Sequence, residues 1–101
     1  MSERADYYIE KVRYNKNHTR IVWVSVRHDT GKKLSPAINM ARKRLITLIQ
    51  EGKQFMTILR SEEGKFRKGK KLLMMQFKDA EYLRTDEAPV ENDRLEDLPE
   101  Y

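Results

Sequence analysis

The chain has 101 residues, of which 39% are hydrophobic and 37% charged, which is the size and composition of one domain with a thin core. It contains no cysteine, which excludes disulfides and thiolate-bound zinc and makes the cytoplasm the expected compartment. Residues 1–6 are polar and lack the apolar stretch of a secretory signal, and no segment approaches membrane-spanning length.

Two strands open the predicted fold. Residues 7–14 are rich in aromatic and β-branched side chains, and residues 20–27 have the strongest strand pattern in the chain. The short, polar connection between them predicts a hairpin. Strict alternation along the second strand places Ile21, Trp23 and Ser25 on one face and Val22, Val24 and Val26 on the other.

A helix is predicted to begin at Ser35, because serine is a good N-cap residue and Pro36 stands where a helix best tolerates proline. Apolar residues then recur at helical spacing, and Gly52 has the position of a residue that ends a helix. The predicted apolar stripe consists of Ile38, Ala41, Leu45, Leu48 and Ile49.

Two more strands are predicted at residues 54–60 and 71–78, around a polar loop at 61–69, and a short edge strand at 81–85. The predicted fold is therefore α+β, with an antiparallel sheet of four to five strands in the order β-β-α-β-β(-β) and one helix packed on one face. Residues 1–85 form a single α+β domain in this prediction. The acidic C-terminal segment, residues 86–101, is expected to dock in part on the sheet.

Both faces of the predicted sheet are apolar, and a single helix covers one of them. We expect the other face to be covered by the C-terminal segment or by a second protomer of a homodimer. The covering residues from the C-terminal segment would be Tyr82, Leu83, Leu95 and Leu98.

The end of the chain carries Tyr82-Leu83-Arg84-Thr85, followed by Asn92, Leu95, Leu98 and Pro99. Upstream features that accompany this pattern are Ile9, Val12, Arg13, Ser35, Ile49, Gly52 and Phe55. With these residues the chain resembles a family of small bacterial and phage proteins of unknown function, over nearly its whole length. The resemblance implies no activity, cofactor or partner.

Catalysis and metal binding have little support in the sequence. Without cysteine, a nucleophile would be a serine or threonine activated by a base, but His18 and His28 fall in polar loops without an obvious partner. Two isolated histidines and scattered carboxylates do not make a ligand set at a recognisable spacing. We therefore predict a non-catalytic protein that uses no metal and no cofactor.

The charge of the chain is unevenly distributed. Residues 1–78 carry 19 Lys and Arg against 7 Asp and Glu, a balance of +12, whereas residues 79–101 carry 2 against 9, a balance of −7. A basic body attracts phosphates at long range, which favours nucleic acid or phosphorylated ligands as partners. The same charges also serve solubility alone, so both interpretations stay open here.

Three basic regions are candidate anion contacts. At the predicted helix entrance, main-chain N–H groups and the Ser35 hydroxyl would bind a phosphate beside two lysines. On the helix, Arg42 contributes to a basic ridge, and the loop of the second hairpin is dense in cations. A solvated loop whose charges discourage edge pairing explains that hairpin equally well. The candidate ligand-binding residues are Lys32, Lys33, Ser35, Arg42, Lys65, Arg67, Lys68, Lys70 and Lys71.

The predicted function is thus a binding module for an anionic ligand, either nucleic acid or a phosphorylated nucleotide. The alternative is a protein-interaction module, such as a small phage-type inhibitor or sequestering protein, with Trp23, Tyr82 and Leu83 at the interface. No membrane partner is predicted. The acidic tail either competes with a polyanion for the basic body, or docks through Leu95 and Leu98 with its acids facing water.

Overall fold

The computed structural model describes residues 5–31, 33–60, 64, 66–77, 80–85, 93–95 and 98–101, and for residues 60, 66, 68 and 77 the main chain only. Seven strands and one helix lie in this part of the chain. In chain order they are β1 (Tyr7–Tyr14), β2 (Ile21–His28), β3 (Ile38–Ala41), α1 (Arg42–Gln50), β4 (Phe55–Arg60), β5 (Phe66–Lys71), β6 (Leu73–Phe77) and β7 (Ala80–Arg84).

Five of the strands form a central sheet in the order β3-β2-β1-β4-β5, and β6 and β7 form a separate two-stranded sheet. The predicted α+β class is confirmed. The prediction of a purely antiparallel sheet is wrong, because β1 and β4 pair in parallel while the other neighbours are antiparallel. The reason is that α1 carries the chain back across the sheet, so that β4 starts at the same end as β1.

The helix begins later than predicted. Residues 38–41 pair with β2 as an edge strand, with Met40 opposite Val24, so α1 starts at Arg42 and not at Ser35. Met40 is buried in the core. Residues 38–41 form a strand despite their helical pattern because pairing with β2 buries Met40. β2 lies outside this stretch of sequence, so the local pattern does not indicate the pairing.

The second half of α1 follows the prediction. Leu45 and Leu48 are buried, and Ile49 packs partly buried against the same core. Ile38 leaves the predicted stripe, since it belongs to β3, where it is 54% exposed. Gly52 ends the helix with a φ of 96°, and its N–H donates to the carbonyl oxygen of Ile49 at 3.0 Å.

The strands after the helix pair differently from the prediction. β4 pairs with β5, whose first residues belong to the predicted loop, and β6 leaves the central sheet to pair with β7. The predicted hairpin of residues 54–60 with 71–78 is therefore wrong. β5 is mostly basic, so its strand conformation comes from main-chain pairing with β4 and not from apolar side chains.

Two β-bulges decide which residues of β1 and β2 face the helix. In the pairing of these strands, Glu10 and Val22 have no partner in register. Each is an extra residue that interrupts the alternation of side chains. Ile21, Val24 and Val26 consequently share one face, and the strict alternation predicted for β2 is wrong.

The main core lies between α1 and the face of the central sheet that α1 covers, which we call the closed face. Its buried residues are Ile9, Val12, Ile21, Val24, Val26, Met40, Leu45, Leu48, Phe55, Leu72, Leu83 and Leu95. Because Leu83 and Leu95 belong to this core, the expectation that they cover the opposite face is wrong. The opposite, open face carries a smaller buried cluster of Ala5, Tyr8, Met56 and Ile58, with Leu34 packed against it.

Candidate functional site

Arg42, a predicted anion ligand, is used inside the protein. Its Nε donates to Oδ2 of Asp93 at 2.8 Å, and Asp93 is 1% exposed. The same carboxylate accepts the main-chain N–H groups of Ile21 and Leu83, each at 2.8 Å. A residue of the acidic segment therefore neutralises Arg42 and joins α1, β2 and β7, which leaves Arg42 a structural role.

The predicted anion site at the helix entrance does not form in the expected way. Ser35 closes the turn between β2 and β3, where its Oγ accepts the main-chain N–H of His28 at 2.8 Å. Lys33, in the same turn, is exposed. Because α1 starts at Arg42, the N–H groups of its first turn are separated from Ser35 by the whole of β3.

The basic residues of β5 are split between the two faces of the sheet. Arg67, Lys70 and Lys71 are all exposed. Arg67 pairs with Leu59 and Lys71 with Met56, and a register shift lies between these pairs. Since Met56 belongs to the cluster on the open face, Lys71 shares that face, whereas Arg67 is on the other.

Lys32, Lys65 and the side chain of Lys68 lie outside the described residues, so the predictions about them stay predictions. The other predicted ligand residues are spread over the turn before β3, the start of α1 and both faces of β5. The described members therefore do not form one continuous basic surface.

A different group of residues comes together on the open face. Arg13 of β1 lies opposite Trp23 of β2, and Lys11 lies opposite Ser25, which in turn lies opposite Asn39 of β3. Val12, Val24 and Met40, which alternate with them along the three strands, belong to the main core, so these five residues share the open face. We call them the Trp23 patch. Trp23 is 39% exposed, and all the others except Ser25 are exposed.

Tyr101 lies across this patch. Its main-chain N–H donates to the carbonyl oxygen of Val12 at 3.2 Å, which places its backbone beside β1. Its hydroxyl donates to Oδ1 of Asn39 at 3.0 Å, so the ring crosses β1 and β2 to reach β3. Arg13 lies over the ring, with its Cζ 5.5 Å from the centroid. Burial raises the pKa of Tyr101, against the opposing effect of Arg13, so the hydroxyl keeps its proton at neutral pH.

Two carboxylates that adjoin Lys11 and Tyr101 in the sequence contact other side chains. Glu10 contacts Arg27 at 3.3 Å, and Glu100 contacts Nε2 of His18 at 2.9 Å. Among the described residues, no carboxylate lies within ion-pair distance of Lys11. The patch therefore presents an aromatic ring beside cationic side chains.

The three residues predicted for a protein interface have different surroundings. Trp23 is on the open face, as part of the patch. Tyr82 is partly buried, and the guanidinium of Arg20 lies 5.2 Å from the centre of its ring. Leu83 is fully buried in the core, where no partner can reach it without unfolding.

Sequence reasoning did not single out Lys11, Arg13 and Asn39 of the patch, or Tyr101, which lies across it. Lys11 and Arg13 flank Val12 on β1, and this alternation already places the two cations together on the face opposite a core residue. No comparable signal existed for Asn39 or Tyr101, because their contact joins residues 62 positions apart.

The described residues offer no clear alternative site. No group of three or more His, Asp or Glu in the described ranges could hold a metal ion. Two surface cavities, of about 410 and 500 Å³, include no residue of the Trp23 patch. No helix in the described part of the chain is long and apolar enough to cross a membrane.

Comparison of the chain with models of known families, with curated proteins and with solved structures found no match in any of the three. The resemblance to a family of small bacterial and phage proteins stays a prediction. Any function must therefore be argued from the geometry of the chain itself.

Proposed function

We propose that the protein binds single-stranded nucleic acid on its open face, through the Trp23 patch. The observation that carries this proposal is the direct pairing of Trp23 with Arg13 across β2 and β1, which sets an exposed aromatic ring beside a cation. Proteins that bind single strands on a sheet combine the same two elements, because bases stack on aromatic rings while cations contact the phosphates.

Each exposed member of the patch has a distinct role in this proposal. The Trp23 ring stacks on a base, a contact that contributes about 1–3 kcal/mol in such proteins. Lys11 and Arg13 contact phosphates, and the Asn39 amide hydrogen-bonds to the edge of a base. Lys71, which shares the open face, is placed to contact a longer strand.

The shape of the patch favours a single-stranded polymer over the other anionic ligands. A phosphorylated nucleotide is normally enclosed by a pocket, and neither described cavity includes a residue of the patch. A duplex is read by a helix or a narrow ribbon that enters a groove, whereas the patch spans the faces of three adjacent strands. Unstacked bases, in contrast, lie flat on such a surface.

The proposed role is binding without catalysis, in the cytoplasm. Both histidines have local partners that explain their positions. His18 pairs with Glu100, and the ring of His28 stacks on Tyr7 with a centroid distance of 4.8 Å.

The test is fluorescence anisotropy with labelled 12-residue dT and U oligonucleotides. Removal of the indole ring in Trp23→Ala should weaken binding about five- to 150-fold, which corresponds to the loss of one stacked base. Tyr82→Ala is the matched control, because it also removes a half-buried aromatic ring beside an arginine but lies on β7. Equal affinities of Trp23→Ala and the wild type would contradict the assigned site.

The contribution of Lys11 and Arg13 to binding is tested with the same oligonucleotides at different salt concentrations. Each phosphate contact to a single strand contributes about 0.7 to the slope of the logarithm of the binding constant against the logarithm of the salt concentration. If Lys11 and Arg13 each neutralise one phosphate, a tenfold rise in salt should therefore weaken binding about 25-fold. Lys11→Glu should lower this slope by about 0.7. Lys43→Glu makes the same charge change on the exposed side of α1 and should leave the slope close to the wild-type value.

A protein-interaction module remains the second candidate, because β2 and β3 together carry three exposed apolar residues. Val22 and Trp23 are each 39% exposed, and Ile38 is 54% exposed. A homodimer or another protein partner would bury these side chains and would be insensitive to salt. This candidate replaces the first if the folded wild type binds neither oligonucleotide at low salt but sediments as a dimer.

A further inference from the structure

Tyr101 is held over the Trp23 patch by its side chain as well as by its backbone. Residues 98–101, which we call the strap, run beside β1, where Val12 donates its N–H to the carbonyl oxygen of Pro99 at 3.0 Å. At the end of the strap, the Tyr101 ring has Arg13 on one side and the Asn39 amide at its hydroxyl. The ring is 37% exposed.

These contacts are the ones that a nucleobase would receive at the same place. A guanidinium lies over the face of a six-membered ring, and a side-chain amide hydrogen-bonds to its polar edge. Proteins that bind single strands use arginine planes and amide side chains in this way. Tyr101 and a base therefore compete for one volume above β1 and β2.

We propose that Tyr101 occupies a nucleobase subsite of the Trp23 patch and that a bound single strand displaces its ring. This inference rests on the proposed function and adds the regulation of that site. The chain's own tyrosine acts as an internal competitor, so the measured affinity is lowered by the fraction of molecules in which the ring is in place.

The ring can leave without unfolding the protein. Its two side-chain contacts, one cation–π contact and one neutral hydrogen bond at the surface, favour the closed position by about five- to tenfold. The rest of the strap stays attached to β1 through the main-chain bonds between Val12 and residues 99 and 101. Rotation of one side chain about its Cα–Cβ bond is then sufficient to open the subsite.

The experiment compares Tyr101→Ala with Tyr82→Ala in oligonucleotide binding by the full chain. Tyr101→Ala should bind the 12-residue dT probe about five- to tenfold more tightly than the wild type. Tyr101→Phe keeps the ring but loses the hydrogen bond to Asn39, and it should bind about two- to threefold more tightly. Tyr82→Ala, which also removes a ring beside an arginine, should match the wild type.

Equal or weaker binding by Tyr101→Ala would overturn the inference, because the ring would then be a bystander or part of the binding platform. If the wild type binds through Trp23 and only this gain is missing, the proposed function survives. If neither the wild type nor folded Tyr101→Ala binds, both proposals fail together. If Tyr101→Ala binds and the wild type does not, both proposals are supported, because the Tyr101 ring then blocks the site completely in the wild type.

A second readout follows the ring directly. In the free protein, proton NMR should detect close contacts between the Tyr101 ring and the Arg13 side chain. Saturating dT oligonucleotide should abolish these contacts. Their persistence in the complex would overturn the inference even if the affinities changed as expected.

Discussion

The two faces of the central sheet use the same acidic C-terminal segment in opposite ways. On the closed face, Asp93 is buried and accepts hydrogen bonds from three residues, two of them through main-chain N–H groups of separate strands. On the open face, the side chain of Tyr101 makes one hydrogen bond and one ring contact, and the residue stays 37% exposed. The segment is thus part of the core at Asp93 and displaceable at the Tyr101 ring.

This difference teaches how net charge can mislead. The excess of acids after residue 78 suggested a screen for the basic body, but a charge acts through its position and not through the sum. Asp93 removes Arg42 from the set of available cations, while Lys11 keeps its charge open to solvent. Substitutions on the closed face should therefore change stability, and those on the open face should change binding.

The largest expected effect is on the closed face. Asp93→Ala should lower the free energy of unfolding by about 3–5 kcal/mol, because Arg42 is left as a partly buried charge without its partner. Urea unfolding measures the change. Glu100→Ala is the control: it removes an exposed side-chain contact with His18 and should cost about 1 kcal/mol or less. Similar losses of unfolding free energy in Asp93→Ala and Glu100→Ala would show that the segment contributes equally to stability at both positions.

Tyr14→Phe tests the contact next to Asp93 along the same segment. The Tyr14 hydroxyl accepts the N–H of Leu95 at 2.9 Å, and Leu95 is buried. Its removal leaves that N–H without its partner and should cost about 1–2 kcal/mol at neutral pH in urea unfolding. A loss below about 0.5 kcal/mol, which is comparable to the error of such measurements, would mean that apolar packing alone holds Leu95.

High pH should reduce the difference in the free energy of unfolding between the wild type and Tyr14→Phe. Burial raises the pKa of Tyr14 above its ordinary value of 10.0, although the hydrogen bond to Leu95 opposes this. The contribution of the neutral hydroxyl is therefore complete below pH 10.0 and declines as the pH rises through the raised pKa of the folded state. Urea midpoints between about pH 8 and 11 measure the gap. A constant gap over this range would show that Tyr14 titrates equally in both states.

The smallest expected stability effects lie on the open face. Lys11→Glu should change the free energy of unfolding by about 0.5 kcal/mol or less, because Lys11 is exposed and has no carboxylate partner among the described residues. Thermal melting in parallel with the binding assay checks this. A large loss would mean that Lys11 supports the fold, and its effect on binding would no longer identify a site.

The sequence predicted the elements whose evidence is local. The aromatic and β-branched pattern of β1 and β2, the pair Leu45 and Leu48, and the glycine at position 52 are all visible within a few residues. For the candidate site, Trp23 was predicted to lie at an interface and is exposed, and the alternation of Lys11 and Arg13 with Val12 is visible in the sequence. Asn39 was placed in a helix, so its membership of the site was hidden.

The errors arose where distant segments decide local structure. A basic stretch at residues 66–71 became a strand because β4 offered main-chain partners, whereas residues 73–77, with the stronger strand pattern, paired with β7 instead. The bulge at Val22 moved Ile21 to the face of Val24 and Val26, and such a bulge has no strong side-chain pattern of its own. Charge counting also failed to separate the buried Asp93 from the exposed Glu100.

The sequence by itself determined the α+β class, the first hairpin, the end of the helix and the contrast between a basic body and an acidic tail. These follow from propensity, periodicity and charge, which act over short distances along the chain. The tertiary structure decided the parallel pairing of β1 with β4, the partner of Arg42 and the position of the Tyr101 ring on the Trp23 patch. The reason is that a hydrogen bond between residues 50 or more positions apart depends on how the whole chain packs, and no local window of sequence contains both partners.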